Sequence, residues 1–161
     1  MRAVIGIGSN LGDRAATLRE AIERVKAIAR VERTSRVYET EPVGPPQPHY
    51  LNAAIAIETD LAPRALMDAL LAIEHAMGRV RVERWGPRTI DLDVLWIDGV
   101  TCDDAGLTVP HARLEERAFA LLPLLDVAPD AKHPVTGRAY SAIAIDRSGA
   151  RAVGTLDADG P

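Results

Sequence analysis

The chain has 161 residues and a formal net charge of −4, which suits a single domain over 1–161. A hydrophobic content of 47% and a charged content of 26% exclude a wholly disordered chain, and 23 acidic against 19 basic residues argue against a nucleic-acid-coating protein. Cys102 is the only cysteine, which excludes an intrachain disulfide and favours a reducing compartment. No apolar stretch approaches the roughly 18 residues of a membrane span. We therefore expect a cytoplasmic protein without a membrane or nucleic-acid partner.

The first segments predict a strand followed by a helix. The apolar run 3–7 contains β-branched residues and ends at a Gly-Ser-Asn turn, which predicts a buried strand. Beyond the turn, apolar residues recur at the spacing of one helix face, and Asp13 is placed to cap the start of the helix. These apolar residues are Leu18, Ile22, Val25 and Ala29.

The middle of the chain predicts two strands and a second helix. Residues 31–38 have the pattern of a half-exposed strand, and 50–59 that of another strand. Between them, four prolines within 42–48 exclude a regular element. Pro63 is placed to begin the second helix and Gly78 to end it.

The second half predicts an Arg-rich loop, a strand, a third helix and a tail. The polar stretch 79–88 predicts the loop, and 90–97 is the clearest strand of the sequence. Residues 114–125 predict a helix broken near Pro123, and the Gly-, Ala- and Asp-rich stretch 146–161 predicts a loose tail. The order β-α-β-β-α-β is that of an α+β, ferredoxin-like core with helices packed on an antiparallel sheet, here followed by a C-terminal extension.

Asp91 and Asp93 are the strongest candidates for chemistry. Side chains alternate between the faces of a strand, so both carboxylates project to one side, with their Cα atoms ~6.5 Å apart. Carboxylates at this spacing can share hard cations. The opposite face consists of Ile90, Leu92, Val94 and Trp96. The alternative is the solvent-facing side of an edge strand, although Asp is a poor strand former.

A group of arginines precedes the two aspartates. Its members are Arg79, Arg81, Arg84 and Arg88. Guanidinium groups beside a carboxylate–metal site suit a polyphosphate, because metal and guanidinium both neutralise phosphoryl charge. The alternative is a solvated loop whose arginines pair with Glu74 and Glu83. Trp85, in the same loop, would either cover a ligand or hold the loop against the body of the protein.

Three further groups allow both a functional and a structural interpretation. His111 could donate to a phosphate or move a proton, or it could be structural. Tyr50, Asn52 and Phe119 could stack on and hydrogen-bond a flat heterocycle, although the pattern alone favours core packing for the aromatic rings. The glycines of 6–12 are spaced G-x-G-x-x-x-G, unlike a dinucleotide fingerprint, and indicate tight-turn and close-packing positions.

Five sequence blocks, in order, resemble the 6-hydroxymethyl-7,8-dihydropterin pyrophosphokinase family of folate biosynthesis. They are GSNLG (8–12), YLNA (50–53), GRVR (78–81), RWGPRTIDLD (84–93) and LTVPH (107–111). The block 84–93 is the most specific, and the similarity runs from about Val4 to Asp126. The resemblance implies a ferredoxin-like α/β core. It also implies transfer of pyrophosphate from ATP to a pterin hydroxymethyl group, with release of AMP.

The resemblance further implies roles for individual residues. Asp91 and Asp93 would hold two Mg²⁺ ions, while Arg79 and Arg88 would engage the phosphates as catalytic residues. ATP would be bound by Glu74, Arg81, Trp85, Thr108, His111 and Arg117. The pterin would contact Thr40, Val43, Gly44, Tyr50, Asn52 and Phe119. We expect a monomer that acts on these small molecules alone.

Other function classes stay open on the residues alone. A metal-dependent phosphohydrolase could use the same aspartates, and it would cleave ATP or a phosphodiester without any pterin. A non-catalytic binding module of ferredoxin-like shape would bind its ligand without Mg²⁺. A dinucleotide oxidoreductase is opposed by both the glycine spacing and the element order.

Overall fold

The computed structural model describes residues 1–10, 12–40, 49–78 and 90–156. Its strands are β1 (Arg2–Ser9), β2 (Arg30–Thr34), β3 (Val37–Thr40), β4 (Tyr50–Glu58), β5 (Asp91–Ile97), β6 (Cys102–Asp104), β7 (Leu107–Val109) and β8 (Ala150–Gly154). Its α-helices are α1 (Arg14–Val25), α2 (Pro63–Ala76) and α3 (Ala118–Val127), and short 3₁₀ helices cover Leu114–Glu116 and Tyr140–Ala142. None of the helices in the described ranges is long and apolar enough to cross a membrane.

Six strands form one antiparallel sheet. Its order is β5-β1-β4-β3-β8, and β2 also pairs with β4. Strand β4 pairs with β3 through its first residues and with β2 through its last, so the two short strands share one partner. The hairpin of β6 and β7 stands apart as a second, two-stranded sheet. This architecture confirms the predicted α+β fold with an antiparallel sheet.

Helices cover both faces of the sheet. Alternate residues of β1, such as Ala3 and Ile5, pack in one cluster with Leu18 of α1 and Leu70 of α2. Val4, which points the other way, packs in a second cluster formed largely with α3. Side chains on both faces of β1 are therefore buried against apolar partners.

The first two helices begin where the sequence predicts, and α2 also ends there, whereas α1 ends at Val25 and leaves Ala29, predicted on its apolar face, beyond the helix. Asp13 caps α1, because its carboxylate accepts the backbone N–H of Ala16 at 3.1 Å. Pro63 occupies the first turn of α2, and the φ of +79° at Gly78 terminates that helix. These local signals need no tertiary partner, which is why the sequence alone reveals them.

The single strand predicted over 31–38 is in fact two strands, β2 and β3. Ser35 interrupts them, yet it stays attached to β4. Its backbone N–H donates to the carbonyl of Ala54 at 2.9 Å, and its hydroxyl oxygen accepts the N–H of Ala54 at 2.8 Å. A side-chain oxygen thus replaces one backbone acceptor, and the strand bends without leaving the sheet.

The apolar face predicted for 90–97 is continuous only as far as Val94. The pairing of β5 with β1 shifts register here: Val94 faces Ile5, whereas Trp96 faces Val4. Leu95 is the extra residue of this bulge. Trp96 consequently joins the α3 cluster instead of the face shared by Leu92 and Val94, so its predicted side was wrong.

Two predictions for the C-terminal half are also corrected. The break in the third helical region lies at Arg117, between the 3₁₀ helix and α3, and Pro123 lies inside α3. The stretch predicted as a loose tail contains β8, which extends the sheet beside β3. Strand β8 cannot be recognised from an apolar period, because it lies at the end of the sheet order and three of its five residues are exposed.

Candidate active site

Asp91 and Asp93 begin the edge strand β5 and lie opposite Gly8 and Gly6 of β1. Both aspartates are half-buried, whereas Leu92 between them is buried in the α1–α2 cluster. Strand alternation therefore directs both carboxylates to the face on which α3 packs. At this end of the sheet the face is polar and α3 has not yet begun.

Glu74 of α2 supports this strand from its outer side. The side chain is 3% exposed, and its Oε2 accepts the backbone N–H of Leu92 at 2.7 Å. An edge strand presents such N–H groups away from its neighbour, and a buried one needs a partner. The carboxylate therefore fixes the backbone between the two aspartates.

Arg117 and His111 lie within electrostatic range of the aspartates. Burial lowers the pKa of Arg117 and Arg113 lowers it further, while the carboxylates of Asp93 and Asp91 oppose them. The guanidinium nevertheless stays charged at neutral pH, as arginine does in proteins. Two carboxylates and a fixed cation consequently share one half-buried location.

His111 is held as a neutral hydrogen-bond donor. Its backbone N–H donates to the carbonyl of Leu95 at 2.9 Å, which seats the residue beside the bulge of β5. Its Nδ1 accepts the N–H of Arg113 at 3.3 Å, so the proton of the neutral ring resides on Nε2. Burial lowers the pKa of His111, with further lowering by Arg117 and Arg113 against the opposing Asp91.

Gly8 leaves a gap that a polar amide fills. A Cβ at Gly8 would lie 2.8 Å from Oδ1 of Asn52 and 3.7 Å from Cδ1 of Tyr50, so both side chains lie over this glycine. Asn52 is 9% exposed, and its Nδ2 donates to Oγ1 of Thr40 at 2.9 Å. The close approach predicted for these glycines is confirmed at Gly8.

Phe119 and Thr108 occupy the borders of this region. The guanidinium carbon of Arg117 lies 5.4 Å from the centre of the Phe119 ring, so the cation stacks on the first turn of α3. Thr108 lies on the exposed side of β7, three residues before His111. The structure thus connects Phe119 to the aspartates through Arg117, whereas it links Thr108 to His111 only along the chain.

Six of the residues predicted for the site fall outside the described residues. They are Val43, Gly44, Arg79, Arg81, Trp85 and Arg88. Conversely, the sequence gives no functional role to Gly8, whose missing side chain admits the Asn52 amide. The available signal is a glycine inside a strand, which often marks close approach of another group.

The arrangement offers hard oxygen ligands beside anion-binding donors. Two half-exposed carboxylates suit a divalent cation that keeps water and substrate oxygens as its remaining ligands. Within the ranges that the structure describes, no group of three or more His, Cys, Asp or Glu residues forms a self-sufficient metal centre. Arg117 and the Nε2–H of His111 can bind phosphoryl oxygens, and the Asn52 amide can bind a polar heterocycle edge.

Comparisons with known proteins identify one enzyme family. The family model described as 7,8-dihydro-6-hydroxymethylpterin-pyrophosphokinase (HPPK) matches residues 4–129. A 2-amino-4-hydroxy-6-hydroxymethyldihydropteridine pyrophosphokinase of Methylorubrum extorquens is 49% identical over 132 residues, covering 80% of this chain and 84% of the relative. The enzyme of that name from Pseudomonas aeruginosa is 42% identical over 136 residues, covering 83% and 84%.

Solved structures share the fold at low sequence identity. The wild-type HPPK-DHPS of Plasmodium falciparum superposes with a TM-score of 0.66 at 14% identity, covering 88% of this chain. The present chain spans 44% of that longer protein, so the likeness concerns one part of it. From the family match and the close relatives together, this chain belongs to the 7,8-dihydro-6-hydroxymethylpterin-pyrophosphokinase family.

Proposed function

We propose that the polar end of the sheet is where this chain carries out the reaction of its family, pyrophosphoryl transfer from ATP to hydroxymethyldihydropterin in folate biosynthesis. One observation carries the proposal: Asp91 and Asp93 share a face with Arg117 and His111 on one side and the Asn52 amide on the other. A polyphosphate and a heterocycle can therefore meet over Gly8.

Asp91 and Asp93 would bind Mg²⁺ together with the nucleotide. Mg²⁺ is commonly held by one or two carboxylates, substrate phosphates and water, and the donor set here fits that pattern. We propose two ions, as the family resemblance implies. Bound Mg²⁺ would neutralise phosphoryl charge and orient the triphosphate. Glu74 would contribute by holding the strand from which both carboxylates project.

The nucleotide would lie on the side of Arg117. Its guanidinium offers fixed positive charge, and the neutral His111 ring offers Nε2–H as a donor that adds no charge of its own. Thr108 would complete this side. Arg79, Arg81, Trp85 and Arg88 are proposed for the same role on the resemblance alone.

The pterin would lie on the side of Asn52. The oxygen Oδ1 of its amide can accept from the amino-pyrimidine edge of a pterin, while the hydrogen bond to Thr40 fixes the amide's orientation. Tyr50 and Phe119 would stack on the flat ring. Val43 and Gly44 are proposed contacts that rest on the resemblance.

The chemistry asks the protein mainly to position its substrates. The pterin hydroxyl oxygen attacks the β-phosphorus and forms a new P–O bond. The bond between the β-phosphorus and the α–β bridging oxygen breaks, AMP leaves with that oxygen, and the hydroxyl proton passes to solvent. Little covalent work falls to the side chains, so catalysis rests on alignment and charge neutralisation.

An assay with ATP, Mg²⁺ and 6-hydroxymethyl-7,8-dihydropterin tests this function. We expect AMP and the pyrophosphorylated pterin in equal amounts, with no ADP. Release of phosphate from ATP without the pterin would instead indicate a phosphohydrolase. Folded protein that forms no AMP would refute the proposal.

We further propose a single-domain monomer that acts on small molecules without a nucleic-acid or membrane partner. A cytoplasmic location is proposed as well, since the lone Cys102 and the ATP co-substrate both suit that compartment. Size-exclusion chromatography with light scattering would test the monomer.

A further inference from the structure

The carboxylate of Glu39 lies where four parts of the chain meet. Glu39 belongs to β3 and its side chain is 22% exposed. Nη1 of Arg14 lies 3.3 Å from Oε2, Nη2 of Arg151 lies 3.0 Å from Oε1, and Nδ1 of His49 lies 3.8 Å from Oε1. These four residues, here named the Glu39 cluster, join the start of α1, β3, the residue before β4, and β8.

The cluster fastens the adjoining ends of β3 and β4. The same Nη1 of Arg14 that contacts Glu39 also donates to the backbone carbonyl of His49 at 2.7 Å. One guanidinium therefore holds the last part of β3 and the residue that precedes β4. Arg14 occupies the first turn of α1, where a basic residue is disfavoured by the helix dipole, so its presence there calls for another role.

The fastened strand ends carry the proposed pterin contacts. Thr40 follows Glu39 directly and pairs with Tyr50 across the two strands. The hydroxyl of Thr40 accepts the Asn52 amide, which lies over Gly8. If the ends of β3 and β4 separate, the amide loses the partner that sets its orientation.

Removing Glu39 would also turn attraction into repulsion. Arg14 and Arg151 would then face each other without the carboxylate between them. A single exposed ion pair contributes little, whereas several charges around one partly buried group contribute more. The network, not any one contact, is thus the unit that can hold the strand ends.

We infer that Glu39 is a positioning residue for the pterin side of the site, and that Arg151 brings the C-terminal strand β8 into this role. The inference rests on the proposed function. Arg151 lies beyond residues 4–129, the part matched by the family model, so the family resemblance does not assign it.

Steady-state AMP formation by Glu39→Gln, Arg14→Ala and Arg151→Ala tests the inference. We expect the pterin KM to rise about fivefold for Glu39→Gln and Arg14→Ala, and about threefold for Arg151→Ala, as befits a partly exposed network. The KM for ATP and kcat should stay near wild type, and Arg151→Lys should regain much of the affinity. A purely structural defect would instead alter all three constants and the thermal midpoint.

Arg30→Ala is the matched control and should leave the pterin KM unchanged. Arg30 and Arg151 have equally exposed side chains, at 75%, and each pairs with a glutamate, but Arg30 contacts Glu32 at 3.6 Å away from the site. An active wild type with an unchanged pterin KM in all three cluster variants would overturn this inference alone. A wild type that forms no AMP would overturn the proposed function and this inference with it.

Discussion

The α3-facing surface of β5, β1 and β4 has two unlike ends. At one end, Asp91 and Asn52 flank Gly8, Asp93 lies opposite Gly6, and Arg117 lies near the two aspartates. At the other end, Ala56 and Leu95 pack under α3 in an apolar cluster. The same three strands supply both ends, and the boundary falls where α3 begins after Arg117. A single sheet can thus serve stability and chemistry by dividing its length between them.

This comparison predicts that substitutions at the two ends have separable effects, and the largest concerns Asp93. We expect Asp93→Ala to lower kcat by roughly 1,000-fold, because it removes charge that aligns the transferring phosphoryl group. The urea midpoint should stay close to wild type. Asp103→Ala, at an exposed position of β6, is the control and should keep full activity. A near-native rate for Asp93→Ala would remove this residue from the metal site.

A core substitution at the apolar end should lower stability and leave the catalytic rate nearly unchanged. Leu124 of α3 is fully buried in the α3 cluster. We expect Leu124→Ala to lower the free energy of unfolding by about 3 kcal/mol, from lost burial and the cavity left behind. The kcat, measured well below the unfolding temperature, should stay within about twofold of wild type. Urea denaturation with parallel assays checks this, and a large loss of kcat in folded protein would contradict the separation.

Two glycines of one strand sharpen the comparison. At Gly8 an added Cβ would lie 2.8 Å from the Asn52 oxygen, whereas at Gly6 it would lie 3.1 Å from the Leu95 side chain. We expect Gly8→Ala to raise the pterin KM roughly tenfold by displacing the amide. Gly6→Ala should instead lower stability slightly and leave the pterin KM unchanged. Equal KM effects for both variants would mean that the amide position does not matter.

The smallest expected effect is a pH dependence at the polar end. The pKa of His111 is lowered by burial and neighbouring cations, so the unfolded chain takes up this proton first as pH falls. The stability that His111 contributes as a neutral ring is present above about pH 6.5 and is lost as pH falls further. His111→Gln should therefore lose less unfolding free energy between pH 7.5 and about 5.5 than wild type.

Urea denaturation at both pH values measures that difference. Leu71→Gln is the control, since Leu71 is an exposed residue of α2 without a titrating side chain. Its variant should follow the wild-type pH dependence. A His111→Gln protein with the same pH dependence as wild type would contradict the assignment of a neutral ring.

Local signals made most of the fold predictable from the sequence. Asp13, Pro63 and Gly78 act on their own turns, so the starts of α1 and α2 and the end of α2 follow without knowledge of the sheet. The bulge at Leu95 and the Ser35 interruption depend on pairing with β1 and β4, which no window of sequence contains. Strand β8 likewise pairs with β3, which lies far away along the chain.

The candidate site was predictable in its residue types but not in its supports. The shared face of Asp91 and Asp93 can be predicted from their spacing, because the alternation of side chains along a strand is a local rule. The carboxylate of Glu74 accepts a backbone N–H from Leu92, 18 residues further along the chain. The carboxylate of Glu39 forms ion pairs with residues at least 10 positions away. Such partners become visible only once the chain has folded.

Glu74 also protects the edge of the sheet against strand pairing with another copy of the chain. An exposed strand edge is a template for strand addition from another molecule, and β5 lies at the end of the sheet order. At Leu92 the outward N–H already belongs to a carboxylate that is 3% exposed, so an incoming strand would have to expel a buried acid to pair there. The edge of β5 beside the two aspartates can consequently stay accessible to small molecules while resisting aggregation.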